Sequence, residues 1–238
     1  MSNRLLIRTL AIIGCCSAIS QAAINRSVKT RRHFGGAPIS RVCLVSLDAQ
    51  VSRIGMKGAE PLLPEGEEWG RKLRDMMTHA VAGSGWTLVG DLSTDNGAMD
   101  EQLRQPVLRV KQKYDMIAMQ LNQKPGKVKN GRYTLGDEVA LLPCSASADS
   151  LLFVRAVGVV ETGGRKAFSL LIGGSAGIVM AQARYKLSIA FVDAKTGEVT
   201  AFTLINFLGG NVGNDPEKVL TERLVEEFDK MHPGAPKP

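Results

Sequence analysis

Two runs decide the fold: residues 148–162 (ADSLLFVRAVGVVET) and residues 185–207 (YKLSIAFVDAKTGEVTAFTLINF). In the first, Leu151, Phe153, Ala156, Val157, Val159 and Val160 make a β-rich stretch. In the second, Leu187, Ile189 and Phe191, then Val199, Ala201, Thr203 and Ile205, recur at every second position, as strands of alternating exposure do. Between them Asp193-Ala-Lys-Thr-Gly-Glu198 predicts a hairpin turn, with Gly197 free to take the positive φ of a bulged turn. Downstream, Asp215 and Pro216 open a helix to Phe228 whose Val219, Leu220, Leu224, Val225 and Phe228 share one apolar face.

Upstream of the central run the elements alternate. Residues 41–47 (RVCLVSL) predict a short strand, and residues 48–65 a long loop broken by Gly55, Gly58, Pro61 and Pro64. Residues 65–81 carry Trp69, Leu73, Met76, Met77 and Ala80 at helical spacing, with acidic residues in the first turn where the helix dipole favours them. Trp69 reads as a core anchor. Gly83 and Gly85 end that helix, and residues 86–89 (WTLV) predict another short strand. In residues 99–110 Pro106 is expected to kink or break a helix, and residues 114–121 (YDMIAMQL) fit either a helix or a buried strand. Residues 124–132 read as a basic loop, and residues 135–146 as helical at their start. The expected fold is therefore a single α/β domain, a mixed sheet flanked by helices, with a C-terminal β-hairpin followed by a helix.

At 238 residues and 44% hydrophobic content, the chain is long enough to bury about 70% of its unfolded surface in one core. The formal charge of +7 suggests an acidic partner, but six of those charges sit at the amino end: Arg4, Arg8, Arg26, Lys29, Arg31 and Arg32. The rest carries only +1. Such an arm can touch anionic lipid head groups or nucleic acid, or simply be solvated.

Arg4 and Arg8 precede the apolar run 10–19 (LAIIGCCSAI), and Ser20-Gln21-Ala22 places small residues where a signal peptidase reads them. Cleavage after Ala22 is expected, giving a signal peptide 1–22, a basic linker 23–38, an α/β domain 39–231 and a tail 232–238. A second reading makes Ile12-Ile13-Gly14-Cys15 a lipobox, with Cys15 acylated as the mature amino terminus. A third is an ordinary first helix. The run is too short to span a bilayer, which needs about 20 apolar residues. If the leader is removed, Cys43 and Cys144 remain as an even pair in an oxidising compartment, either joined as a disulfide or separately buried as thiols.

The succession ADSLLFVRAVGVVETGGRKA, YKLSIAFVDAKTGEVTAF and a helix ending FDKMHPG resembles exported bacterial envelope proteins related to the curli-secretion (CsgG-like) lipoprotein and the amino-terminal domain of TolB. The stretch VCLVSLDAQVSRIGMKGAEPLLPEGEEWGRKL is similar to their first strand and loop, so the likeness spans roughly residues 39–230. It implies a cell-envelope protein, periplasmic or tethered to the outer membrane, that binds or assembles rather than catalyses. It carries over no catalytic residues. The chain departs from the curli pore in lacking a pair of long alternating membrane hairpins.

One motif points elsewhere. Gly173-Gly-Ser175-Ala-Gly177 fits GxSxG between an apolar run and a potential helix, the setting of a nucleophile elbow. Ser175, then Asp193 or Asp215, then His232 follow the order of a serine hydrolase, which is the enzyme alternative. Against it, short Gly/Ser/Ala turns match the pattern easily and His232 adjoins a Pro-rich tail. His33, His79 and His232 are isolated from metal-ligand spacing, and Gly163-Gly-Arg-Lys166 lacks the phosphate-loop pattern. No metal or cofactor is expected. The uncharged run 167–181 suits buried core or a membrane-touching or oligomer-forming hairpin. The expected partner is an envelope protein or a second copy, with membrane contact through the arm or a lipid; nucleic acid is disfavoured by export and by the scarcity of aromatics to stack on bases.

Overall fold

The computed structural model describes residues 29–32, 39–55, 58–93, 101–124, 133–161, 184–208 and 216–230. In chain order the elements are β1 (Lys29–Arg32), β2 (Arg41–Gly55), β3 (Gly58–Pro61), α1 (Leu63–Gly83), β4 (Thr87–Asp91), α2 (Glu101–Gln123), a 3-10 turn (Asp137–Leu141), β5 (Ser150–Glu161), β6 (Arg184–Asp193), β7 (Val199–Leu208) and α3 (Pro216–Asp229). The strands form one mixed sheet in the order β1-β7-β6-β5-β2-β3, with β4 also beside β2. Its centre is parallel, β4 and β5 both running with β2, and the β5-β6-β7-β1 half is antiparallel. The α/β class, the mixed sheet, the hairpin and the following helix are as the sequence led us to expect.

Both faces of the sheet are covered, which explains why the β5 run is apolar almost without interruption. On one face Leu152, Val154 and Ala156 of β5 join Leu187, Ile189 and Phe191 of β6 under α1 and α3. On the other, Leu151 and Phe153 join Ala190 and Val192 under α2 and the 3-10 turn. The expected alternation of exposure on β6 and β7 is thus corrected to an alternation between two cores, with Ser188 and Thr203 buried as well. The first core is pinned by aromatics: Trp86 stacks on Phe228 at 5.3 Å and meets Phe191 edge-on at 5.5 Å, while Trp69 meets Tyr185 at 5.2 Å. Trp69 is the core anchor its spacing implied.

Four boundaries differ from the sequence reading. β2 runs on to Gly55, so much of the expected loop 48–65 is strand, with a β2–β3 hairpin and the first turn of α1. Gly55 and Gly58 flank that turn as a register pair, and Pro64 falls at the start of α1, where a missing N–H costs nothing. α2 continues through Pro106, which sits in its second turn, where only one carbonyl loses its bond. Residues 135–146 make a short 3-10 turn and tight turns instead of a longer helix. Part of the arm taken as linker 23–38 belongs to the sheet, since Lys29–Arg32 pairs antiparallel with β7 and closes its otherwise open edge.

Local chemistry sets the joints. At the hairpin, Asp193 Oδ1 accepts from the Lys195 and Thr196 amides at 2.9 and 2.7 Å, and Gly197 has φ of 69°. A Cβ on Gly197 would lie 2.5 Å from the Gly136 carbonyl oxygen, so only glycine lets the hairpin dock against residues 133–136. At the base of the sheet Asp149 accepts from the Ser40 amide and hydroxyl, the Arg41 amide and the Arg41 guanidinium, tying the start of β2 to the start of β5.

Candidate functional site

One concave feature of the described residues follows from how β2 is paired. Along almost its whole length β2 is bonded to β5 on one side. On its other side β4 pairs only with residues 41–44 and β3 only with residues 52–55. The segment between them has no strand partner on that edge among the described residues.

A bulge determines which groups face the gap. The β2–β5 register slips between Leu44 and Ser46, leaving Val45 as the extra residue. Packing records the same slip: Val42 and Leu44 face the α1 side, and after the bulge the α1-side residues become Leu47, Ala49 and Val51. The Val51 carbonyl accepts the Leu62 amide at 2.8 Å, so Val51 points its backbone outward from β5. Backbone direction alternates along a strand, and Ala49 and Leu47 therefore point theirs outward too.

α1 forms the wall beside this edge, and glycines let it come close. A Cβ on Gly66 would lie 3.2 Å from the Ala49 carbonyl oxygen, and one on Gly70 would lie 3.6 Å from Ala49 Cβ. The resulting cleft, about 640 Å³, is lined by Leu47 to Ser52, by Pro61, Leu62 and Leu63, and by Gly66, Glu67, Gly70, Arg71 and Arg74 of α1. Leu63 is 70% exposed at its rim. One of the flanking charges is engaged: Arg74 Nε lies 3.2 Å from Asp91.

On the opposite face Arg155 bridges two carboxylates, Asp48 at 3.6 Å and Asp115 at 3.7 Å. Burial raises the Asp115 pKa, Arg155 opposes that, and Asp48 adds to it. Beneath, Tyr114 stacks on Phe153 at 4.4 Å, and its burial pushes the phenol pKa well above the ordinary tyrosine range. These groups hold α2 to the sheet.

Cys43 of β2 and Cys144, in the turn before β5, are joined as a disulfide with Cα atoms 6.2 Å apart, buried in the second core. Gly90 of β4 lies against the bridge, where a Cβ would come 3.1 Å from Cys144 Cβ. Of the groups singled out for a hydrolase, Asp193 is occupied in its own turn, as described above. Ser175, Asp215 and His232 lie outside the described residues, as do Cys15, the leader 1–22, the tail 232–238 and the runs 163–166 and 167–181. His79 is on the surface of α1, its Nδ1 2.8 Å from the Asp75 carbonyl. Among the described residues no group of three or more His, Cys, Asp or Glu side chains could hold a metal ion, and no helix is long and apolar enough to cross a membrane. The cleft beside β2 was not anticipated from the sequence, because it arises from the absence of a neighbour.

No family model matches the chain, and no curated protein matches its sequence. Among solved structures it is similar to the PelC dodecamer from Paraburkholderia phytofirmans, with a TM-score of 0.39 and 9% identity over 87% of this chain and 98% of that one. A point variant of that dodecamer gives a TM-score of 0.39 and 11% identity over 86% of this chain and 96% of its own. Similarity at this level identifies neither a family nor an activity.

Proposed function

We propose that the chain is an exported cell-envelope module, periplasmic or tethered to the outer membrane, that binds or assembles with another protein and carries out no reaction of its own. The observation that carries this reading is the Cys43–Cys144 bridge, the two cysteines a cleaved leader leaves behind, buried where an oxidising compartment keeps such a bond. The resemblance to exported proteins related to the curli-secretion lipoprotein and the TolB amino-terminal domain, and the Arg4, Arg8 and apolar leader pattern, support the same reading. Self-association is part of it: a second copy is one candidate partner.

The test is fractionation of cells producing the full chain, with mass spectrometry of the mature amino terminus. Ala23 or an acylated Cys15 in the envelope fraction is expected; an intact leader in the cytosol overturns the reading. Sedimentation of the purified product separates a self-assembling module from a monomeric one. The serine-hydrolase alternative stands on the GxSxG sequence alone. A fluorophosphonate that labels the wild type but not Ser175→Ala would replace the present reading with that one.

A further inference from the structure

We infer that the outward side of α2 is a docking surface for an anionic lipid bilayer, on which the helix lies flat at head-group depth. This goes beyond the binding-module reading, in which the membrane is touched only through the arm or an acyl chain. Val107, Val110, Tyr114, Ala118 and Leu121 bury one side of α2 in the second core. By helical spacing Leu108, Met116 and Met119 share the opposite side, where they are 42, 58 and 60% exposed. Gln105, Gln112 and Gln123 fall on that side too, so the stripe is too polar to sink into hydrocarbon. Arg104 and Arg109 stand on its two flanks, the positions from which long basic side chains reach head groups while apolar ones rest between them. No helix among the described residues is long and apolar enough to cross a membrane, and α2 needs only to rest on one.

Charge decides what such a surface meets. α2 carries four cations, Arg104, Arg109, Lys111 and Lys113, against Glu101 and Asp115. Lys113 is matched by Glu138 at 2.8 Å and Asp115 by Arg155 at 3.7 Å, so those two charges are offset within the fold and the arginines and Lys111 set the sign. Lys124 follows the helix at once, and the sequence on to Arg132 adds Lys127 and Lys129 with no acidic residue. On the other face of the sheet α1 and α3 together carry nine carboxylates against five cations. The sheet therefore separates a basic side from an acidic one, and the field of the molecule turns α2 toward a negative surface. A lipid surface is the occupant we commit to, because a continuous plane of anionic head groups meets the cations on both flanks at once while the methionines rest between them.

The test is sedimentation of the purified full chain with vesicles of phosphatidylcholine, with or without phosphatidylglycerol, each doped with a lipid that carries a photoreactive diazirine in its acyl chain. Binding is expected to be tighter with phosphatidylglycerol and to weaken as salt screens it, with photo-adducts on peptides that contain Leu108, Met116 and Met119. Arg109→Gln should weaken binding about fivefold, the worth of one cation at such a surface. Met116→Glu combined with Met119→Glu should weaken it at least about tenfold. Both methionines are exposed, so thermal melts should match the wild type, and the wild-type adducts keep the inference testable should a variant fail to fold. Absence of binding overturns it, as does binding no tighter with phosphatidylglycerol. Adducts that spare α2 do the same, since the arm or an acyl chain would then be the contact, and so do folded variants that bind as the wild type does. A chain that ignores vesicles but cross-links through α2 to an acidic protein replaces the lipid with that partner. Vesicle binding through α2 by a chain that fractionates with the cytosol would leave this inference standing and remove the envelope reading; an envelope location without it would do the reverse.

Discussion

Gly158 faces Tyr185 across the β5–β6 pairing, and a Cβ there would lie 2.8 Å from the tyrosine ring. That ring is held edge-on by Trp69, so it has little freedom to withdraw. Gly158→Ala is expected to destabilise the fold by about 1–3 kcal/mol despite the better strand propensity of alanine, measured by urea unfolding. Asp149 offers a second test. The Arg41 guanidinium, first among its partners, and the Ser40 and Arg41 donors hold its pKa well below the ordinary carboxylate range. A carboxylate depressed on folding stabilises the protein above its unfolded pKa, and that stability is lost as pH falls through the folded value. Wild-type stability should therefore fall as pH drops below about 4, and Asp149→Asn should be less stable at pH 7 with a flatter acid limb. Chemical denaturation between neutral and acid pH checks both statements.

At the scale of elements, α1 is placed against β2 by two glycines one turn apart, and they should respond in opposite directions. Gly70 has ordinary contact distance to Ala49, so Gly70→Ala should raise stability by about 0.5–1 kcal/mol through helix propensity. Gly66 approaches a backbone oxygen, and Gly66→Ala should lower stability by about 1 kcal/mol as α1 is pushed outward. Thermal melts of the pair decide it. The elements also show what a sequence can and cannot disclose. The β6–β7 hairpin was legible because its turn chemistry and its strand period are local, both carried by Asp193, Gly197 and their neighbours. The second half of β2 was not, because Asp48, Gln50, Ser52 and Arg53 look like loop until β5 is known to lie beside them. The cleft beside β2 was illegible for the same reason taken further: it depends on where β3 and β4 stop.

For the whole molecule the disulfide is the largest single lever. It closes a sequence separation of 101 residues, for which chain-entropy arguments give a stabilisation of roughly 4–5 kcal/mol. Replacing both cysteines by alanine should lower the melting temperature by on the order of 10 °C in a domain this size. A melting temperature unchanged by reductant, with alkylation trapping two free thiols in the protein purified from its native compartment, would show that the bond does not form there. The pairing itself could be named from the even count of remaining cysteines, but not decided, because it requires β2 and the turn before β5 to converge across the intervening elements.

The bridge also changes what a cut in the chain means. It joins the first long strand to the threshold of the central one, and β3, α1, β4 and α2 are all strung between its two ends. A protease that nicks this stretch once opens a ring and releases no fragment: the protein would run at full mass on a gel without reductant and as two pieces with it.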